Sequence, residues 1–399
     1  MPEVLENART MGNLLRYAIF FKFCPAHDSI EFALCFTEFS TKIDEKMSQL
    51  NEILKRYTSE KVTLRKDDKS EALDFCWPVV EEILKYVKIK DTRFAGMEVE
   101  RKGSYYERCK VGEPDEFDLM LVIKDLELNG VYEFIYDGMS EPPTGFTRVM
   151  MENSREMLSA SRVKSVFANL VRRAIRDLKC EGFVEASSHG PAVKLLITNY
   201  RDGKSYAVDL VPAIENKNWP EDANEWISRE RGWPKQDLVD EIWQDGCHLV
   251  AKFPRGITVP EHEKEFLWRY SFSGAEKKLF LKGGQGEAGS CSKQVLRILK
   301  ALKDELQLHP LTSYHLKTIF FYECEQNPHH NWSFNCLGER FMDLLQRLQD
   351  CLSIRSCPHY FISKLNLFET FSEQRCRELT GKIQHIQIDP CRALSHLMK

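Results

Sequence analysis

The chain has 399 residues, long enough for two lobes with sizeable cores. Apolar residues make up 43% and charged residues 29%, which excludes wholesale disorder and collagen-like, coiled-coil or low-complexity architectures. Lys and Arg number 56 against 60 Asp and Glu, a net charge of −4, so a uniformly basic nucleic-acid binder is excluded while a local basic face is not.

In chain order, the first apolar run is Met11 to Cys24. It carries Arg16 and Lys22, falls short of the roughly 20 apolar residues of a spanning helix, and lacks the flanks of a signal peptide. It reads as a buried helix, and no membrane span is expected. Phe32 to Leu54 places apolar residues three and four apart and predicts a helix. The polar stretch Lys61 to Ser70 reads as a linker. Glu71 to Lys88 predicts a second helix, with one broad face of Leu73, Phe75, Cys76, Val79, Val80, Ile83, Leu84 and Val87. A turn at Pro114 precedes EFDLMLVI, which alternates and then runs apolar, as a strand does. A long helix is predicted over Ser159 to Cys180. Strands follow at Ala192–Thr198 and Ser205–Pro212, separated by the turn NYRDGK. Residues 290–380 are mostly helical in pattern, and no internal repeat is present.

This order predicts an α+β fold in two lobes. Residues 1–70 form an N-terminal helical extension. Residues 71–225 hold a mixed sheet and the long helix. Residues 226–399 complete the core and supply a C-terminal helical lobe. Thirteen cysteines, an odd number with no CxxC pair, read as free thiols of a reducing, cytoplasmic compartment. Cys351 and Cys357, with His359 nearby, make an incomplete zinc set, because closure needs four ligands.

The chemistry concentrates around Gly103-Ser104 and Glu116-x-Asp118. Residues two apart on a strand share a face, so Glu116 and Asp118 project side by side. Adjacent carboxylates repel unless a cation lies between them, and their hard oxygens suit Mg2+ or Mn2+. Asp209, between Val208 and Leu210, adds a third carboxylate that is costly to bury alone. Three carboxylates on two strands fit a pair of divalent ions that assist phosphoryl transfer. Gly103-Ser104 supplies a tight turn, a backbone N–H and a hydroxyl for a triphosphate. That combination points to a nucleotidyltransferase palm.

GSYYERCKVGEPDEFDLMLVI, WRYSFSGAEKKL, LTSYHLKTIFFYECEQNP and CPHYFISKLNLF occur in this order between about residues 75 and 370. Together they resemble the cyclic GMP-AMP synthase (cGAS) and cGAS-like receptor family, in the male-abnormal-twenty-one branch of nucleotidyltransferases. The resemblance implies a bilobal enzyme. It joins ATP and GTP, or related triphosphates, into a cyclic dinucleotide after a nucleic acid binds. The product is a second messenger for a STING-type receptor. By position, Glu116, Asp118 and Asp209 match the catalytic, metal-binding triad, and Gly103-Ser104 the phosphate turn. Arg269 matches a nucleotide-contacting arginine and Lys300 a lysine at the donor phosphates. Ser313 and Tyr314 match a phosphate-contacting serine and a base-stacking tyrosine. Glu276 falls at a further pocket position. Two rival readings share much of this pattern: an enzyme making linear oligonucleotides, and a catalytically inactive binding protein of the same family.

Arg172, Arg176 and Lys179 follow one another at i, i+4 and i+7 along the long helix, with Arg162, Lys164 and Arg173 nearby. In the family this spine helix lies along double-stranded nucleic acid, where successive phosphates meet cations whatever the sequence. The family's DNA-sensing branch carries a zinc thumb of one His and three Cys before the lysine-bearing helix. Here the stretch is LKGGQGEAGSCSKQVL, with Cys291 alone and no His. No structural zinc is expected, and double-stranded RNA is favoured over DNA as activator.

Overall fold

A computed structural model describes residues 30–63, 66–112, 115–124, 139–151, 156–253, 259–283, 290–328 and 332–399. The expected helix at Met11 to Cys24 and the turn at Pro114 lie outside these residues. Helices longer than seven residues are numbered α1 to α10.

The strand that organises the sheet is β2, Glu116–Ile123. Its two faces have different fates. Phe117, Leu119, Leu121 and Ile123 point into a core shared with two helices, α2 (Lys66–Lys90) and α3 (Ala160–Asp177). Met120 and Val122 join a smaller cluster with Ala213 and Val250 on the other face. Burying each large apolar side chain contributes about 1.5–3 kcal/mol. Glu116 and Asp118 take the second face where that cluster ends.

Eight described strands form one mixed sheet. β1 (Glu98–Lys102) runs antiparallel to β2. β2 runs parallel to β6 (Ser205–Asn216). The far edge of β6 is shared. Its first half pairs with β5 (Ala192–Thr198), which pairs with β4 (Val184–His189). Its second half pairs with β7 (Cys247–Val250), and β7 leads to β8 (Trp268–Ser271) and the short β3 (Phe146–Thr147). Helix α4 (Gln236–Asp245) precedes β7, and α5 (Ser273–Lys282) follows β8.

The helical lobe holds α6 (Ser292–Glu305), α7 (Ser313–Gln326), α8 (Leu337–Ser353), α9 (Glu373–Ile388) and α10 (Pro390–Leu397). Helix α1 (Ile30–Tyr57) belongs with them. Its Ile43, Met47, Leu50, Leu54 and Tyr57 enter the lobe's core, and Asn51 bonds the backbone of Asn335 and Gly338. The polar stretch after α1 is not the open linker expected. A π-helical turn spans Thr58–Val62 and α2 begins at Lys66. Asp67 and Asp68 fall in the first turn of α2, where acidic residues suit the helix N-terminus, so the polar composition there did not mean a lack of helix.

The structure is thus a mixed α+β molecule in two lobes, as a bilobal nucleotidyltransferase fold requires. Among the described residues no helix is long and apolar enough to cross a membrane.

Candidate active site

Strand pairing sets the site. Reading across β1, β2, β6 and β5, Lys102 faces Asp118, Asp118 faces Asp209, and Asp209 faces Lys194. Directly paired residues share a face, so this is one row in which two lysines flank two aspartates: lysine, aspartate, aspartate, lysine. Glu116 lies on the same face, two residues before Asp118. The three carboxylates named from the sequence are therefore brought together.

Burial and the neighbouring acids both act on Asp118. Burial, then Glu116, Asp209 and Glu107, push its carboxyl up to about 6, with Lys317 opposing. Gly103 closes over it. Its φ is +77°, and a Cβ there would overlap the Asp118 carboxylate. Only glycine lets the backbone of the Gly103–Tyr106 turn approach so closely. Ser104, in the same turn, accepts from the backbone N–H of Cys109 through its carbonyl, which folds the following loop back.

Two lysines the sequence reading missed neutralise the acids. Lys194 lies 3.4 Å from Glu116 Oε1 and 3.9 Å from Asp209 Oδ1. Lys110 lies 3.5 Å from Glu116 Oε2 and 3.0 Å from Asp115. Alternation in AVKLLIT puts Lys194 on the face away from Val193, Leu195 and Ile197, a signal the sequence did carry. As placed, no three described His, Cys, Asp or Glu side chains converge closely enough to hold a metal ion. Glu116 is turned to its lysines instead. The donor set itself fits a hard divalent cation: three carboxylates on one face, one with its proton affinity raised by burial and then by its acidic neighbours. Glu116 would have to exchange ammonium for metal.

The helical lobe contributes a second constellation. Lys317 of α7 is buried between Glu107, at 2.8 Å, and Glu276 of α5, at 2.9 Å. Burial alone would depress its ammonium, but the two carboxylates more than offset this and hold it above its usual value. Glu276 also accepts from Tyr314. Tyr314 Oη is 2.7 Å from His359 Nε2, while His359 Nδ1 accepts from the N–H groups of Phe361 and Ile362. That fixes the proton on Nε2, so His359 donates to Tyr314 and Tyr314 to Glu276. Burial, with Arg269 beside it, pulls His359 down to about 3, so the ring stays neutral. Glu107 and Lys317 were not identified from the sequence, and His359 was read only as part of an incomplete zinc set. A lysine inside the apolar run HLKTIFFY was the available sign.

Arg269 on β8 approaches the Phe146 ring at 6.0 Å, and no described carboxylate pairs with it. Burial lowers its guanidinium from the usual value, opposed by Tyr314. A guanidinium so placed is ready for an anion. Lys300 of α6 is buried and donates to the Cys109 carbonyl at 3.1 Å, behind the loop that follows Gly103-Ser104. Ser313 is exposed at the start of α7, whose end is capped by Thr312 and His315. Cys351 and Cys357 are neighbouring free thiols joined by a hydrogen bond, and both nitrogens of nearby His359 are already engaged.

On α3, Arg162, Arg172, Arg173 and Arg176 are exposed. Ser159 caps the helix by accepting from the Arg162 N–H. The i, i+4, i+7 spacing holds for Arg172 and Arg176 but not for Lys179, and the nearby Lys164 is engaged elsewhere. Lys164 turns to the Gly190 carbonyl at the β4–β5 turn. Lys179 lies past the helix end with φ +56°, so helical spacing no longer places it. Asp177 interrupts the charge, bonding Tyr86 and lying 3.7 Å from Arg176.

Two family models match the chain. The Mab-21 protein nucleotidyltransferase domain matches residues 105–282, which include the three carboxylates, Arg269 and Glu276. The Mab-21 protein HhH/H2TH-like domain matches residues 291–385, which include Lys300, Ser313, Tyr314 and Lys317.

Proposed function

The chain belongs to the Mab-21 family and carries its nucleotidyltransferase domain, and we propose that it is a cGAS-like, metal-dependent synthase of a cyclic dinucleotide. The observation that carries this reading is the row of Asp118 and Asp209, flanked by Glu116 and closed by Gly103. A chain without catalysis has no need to hold three carboxylates together at the cost in Asp118.

In this reading ATP and GTP, or related triphosphates, occupy the cleft between sheet and helical lobe. The Gly103–Tyr106 turn presents backbone N–H groups and the Ser104 hydroxyl to a triphosphate. Arg269 offers a planar cationic fork to phosphate or base acceptors. Tyr314, held by His359 and Glu276, offers a ring for base stacking, which contributes about 1–3 kcal/mol per base. Lys300 stiffens the loop behind the turn. When bound to the carboxylates, two Mg2+ or Mn2+ ions neutralise charge and polarise the attacking and leaving oxygens. The protein's own contribution is to align a ribose hydroxyl of one nucleotide with the α-phosphate of the other, so that the new phosphodiester forms as pyrophosphate leaves, and to exclude water. The linear product then turns over and closes.

The arginine face of α3 is the proposed contact for double-stranded nucleic acid, with RNA favoured over DNA because Cys291 stands without the partners of a zinc thumb. The enzyme is assigned to the cytoplasm, a setting that suits its free described thiols. Its product would act on a STING-type receptor.

The test is a product assay with four labelled triphosphates and Mg2+ or Mn2+, in the presence of double-stranded RNA, double-stranded DNA or neither. A phosphatase-resistant product formed only with RNA is expected. A phosphatase-sensitive ladder identifies a linear polymerase instead. Absence of product under all conditions, with nucleotide binding retained, points to an inactive binding protein or to an enzyme whose activator is neither of these nucleic acids.

A further inference from the structure

Lys194 stands in an unusual place. The other residues of β5 on its face and beside it do not force it inward, since Leu196 on the same face is 38% exposed. A lysine there is free to extend into water. Instead its ammonium lies between Glu116 and Asp209, at 3.4 and 3.9 Å. Lys110 covers the second oxygen of Glu116. Both oxygens of Glu116 thus face ammonium groups, and one oxygen of Asp209 faces the same ammonium.

Resting on the metal-dependent reading above, we propose that Lys194 is a built-in counter-ion of the triad that competes with the divalent cation for Glu116 and Asp209. A flexible four-carbon stem lets the ammonium withdraw when a better cation arrives. The affinity of the empty site for metal is then lowered by the free energy of breaking these contacts. The protein sets its own threshold, and triphosphate, which brings metal with it, is needed to cross it. A lysine whose ammonium made no electrostatic contact with the triad would behave differently, because its removal would leave the affinity for metal unchanged.

The experiment is a Mn2+ titration of the full chain without nucleotide or nucleic acid, following free Mn2+ by electron paramagnetic resonance. Lys194→Met and the strand-compatible Lys194→Thr are compared with wild type, Lys194→Arg and Asp209→Asn. Thermal unfolding of each checks that it folds. Both neutral variants are expected to bind Mn2+ about tenfold more tightly than wild type, Lys194→Arg about equally, and Asp209→Asn more weakly. Neutral variants that bind Mn2+ no better than wild type overturn the role of Lys194 while leaving metal dependence intact. Failure of every protein, the neutral variants included, to bind Mn2+ overturns the metal reading itself.

Discussion

Asp118 is where function opposes stability. Its folded-state carboxyl is raised to about 6, against 3.8 for the free side chain. Between those values the folded chain keeps a proton that the unfolded chain has lost. Stability therefore falls as pH rises through this window, and above it the penalty is complete, on the order of 3 kcal/mol. Asp118→Asn should remove that penalty. Denaturant unfolding should show the variant more stable than wild type at pH 8 and about equal at pH 4. The same variant should make no product. Equal stability at both pH values would show that the three carboxylates do not strain the fold. Gly103 is the complementary case. Gly103→Ala places a methyl group onto the Asp118 carboxylate and a side chain at φ +77°. Turnover should fall at least tenfold, and unchanged kcat would mean that the turn does not approach the acids during the reaction.

At the scale of elements, the structure rests on two helices with opposite solutions for charge. Helix α7 buries Lys317 between Glu107 and Glu276, tying the loop after β1 to α5 and to the helical lobe. Lys317→Met leaves two buried carboxylates facing each other. We expect a loss of about 3–5 kcal/mol in denaturant unfolding, most of it recovered when Glu107→Gln is added. No recovery would mean that the loss comes from packing. Helix α3 instead leaves its arginines in solvent. Replacing Arg172 and Arg176 together by alanine should weaken double-stranded RNA binding at every sequence. The slope of log affinity against log salt should drop by about two. An unchanged slope would place the nucleic-acid contact elsewhere. The legibility of these elements from sequence follows the same division. Helix α3 and strands β2, β5 and the first part of β6 were readable from helical spacing, from alternation and from apolar runs, although β6 extends past the predicted Pro212 to Asn216. β1, β3, β4, β7 and β8 were not, being short or lacking clean alternation, as in VERK or WRYS. The acid triad was readable because one strand carries Glu116-x-Asp118. Lys194, Glu107 and His359 were hidden because their role depends on which strand or helix lies opposite, and only pairing supplies that.

For the whole molecule, the arrangement of lobes explains why the site is built from distant segments. The sheet supplies Glu116, Asp118 and Asp209, and the turn at Gly103 closes over them. The helical lobe supplies Tyr314 and His359, and Lys317 joins the two through Glu107 and Glu276. Helix α1, far from this cleft in sequence, is part of the helical lobe's core through Leu50, Leu54 and Tyr57. Helix α1 thus packs into the lobe that forms one wall of the site. Deleting residues 1–57 should expose that core and lower the unfolding midpoint of the whole chain; an unchanged midpoint would show that α1 is only an appendage. The central claim is that the carboxylate row performs nucleotidyl transfer. Its most direct test compares wild type and Asp209→Asn, with labelled ATP and GTP, Mn2+ and double-stranded RNA. RNA binding is measured on the same preparations. The account predicts a phosphatase-resistant product from wild type, none from Asp209→Asn, and equal RNA affinity. Product formation by Asp209→Asn at the wild-type rate would contradict it.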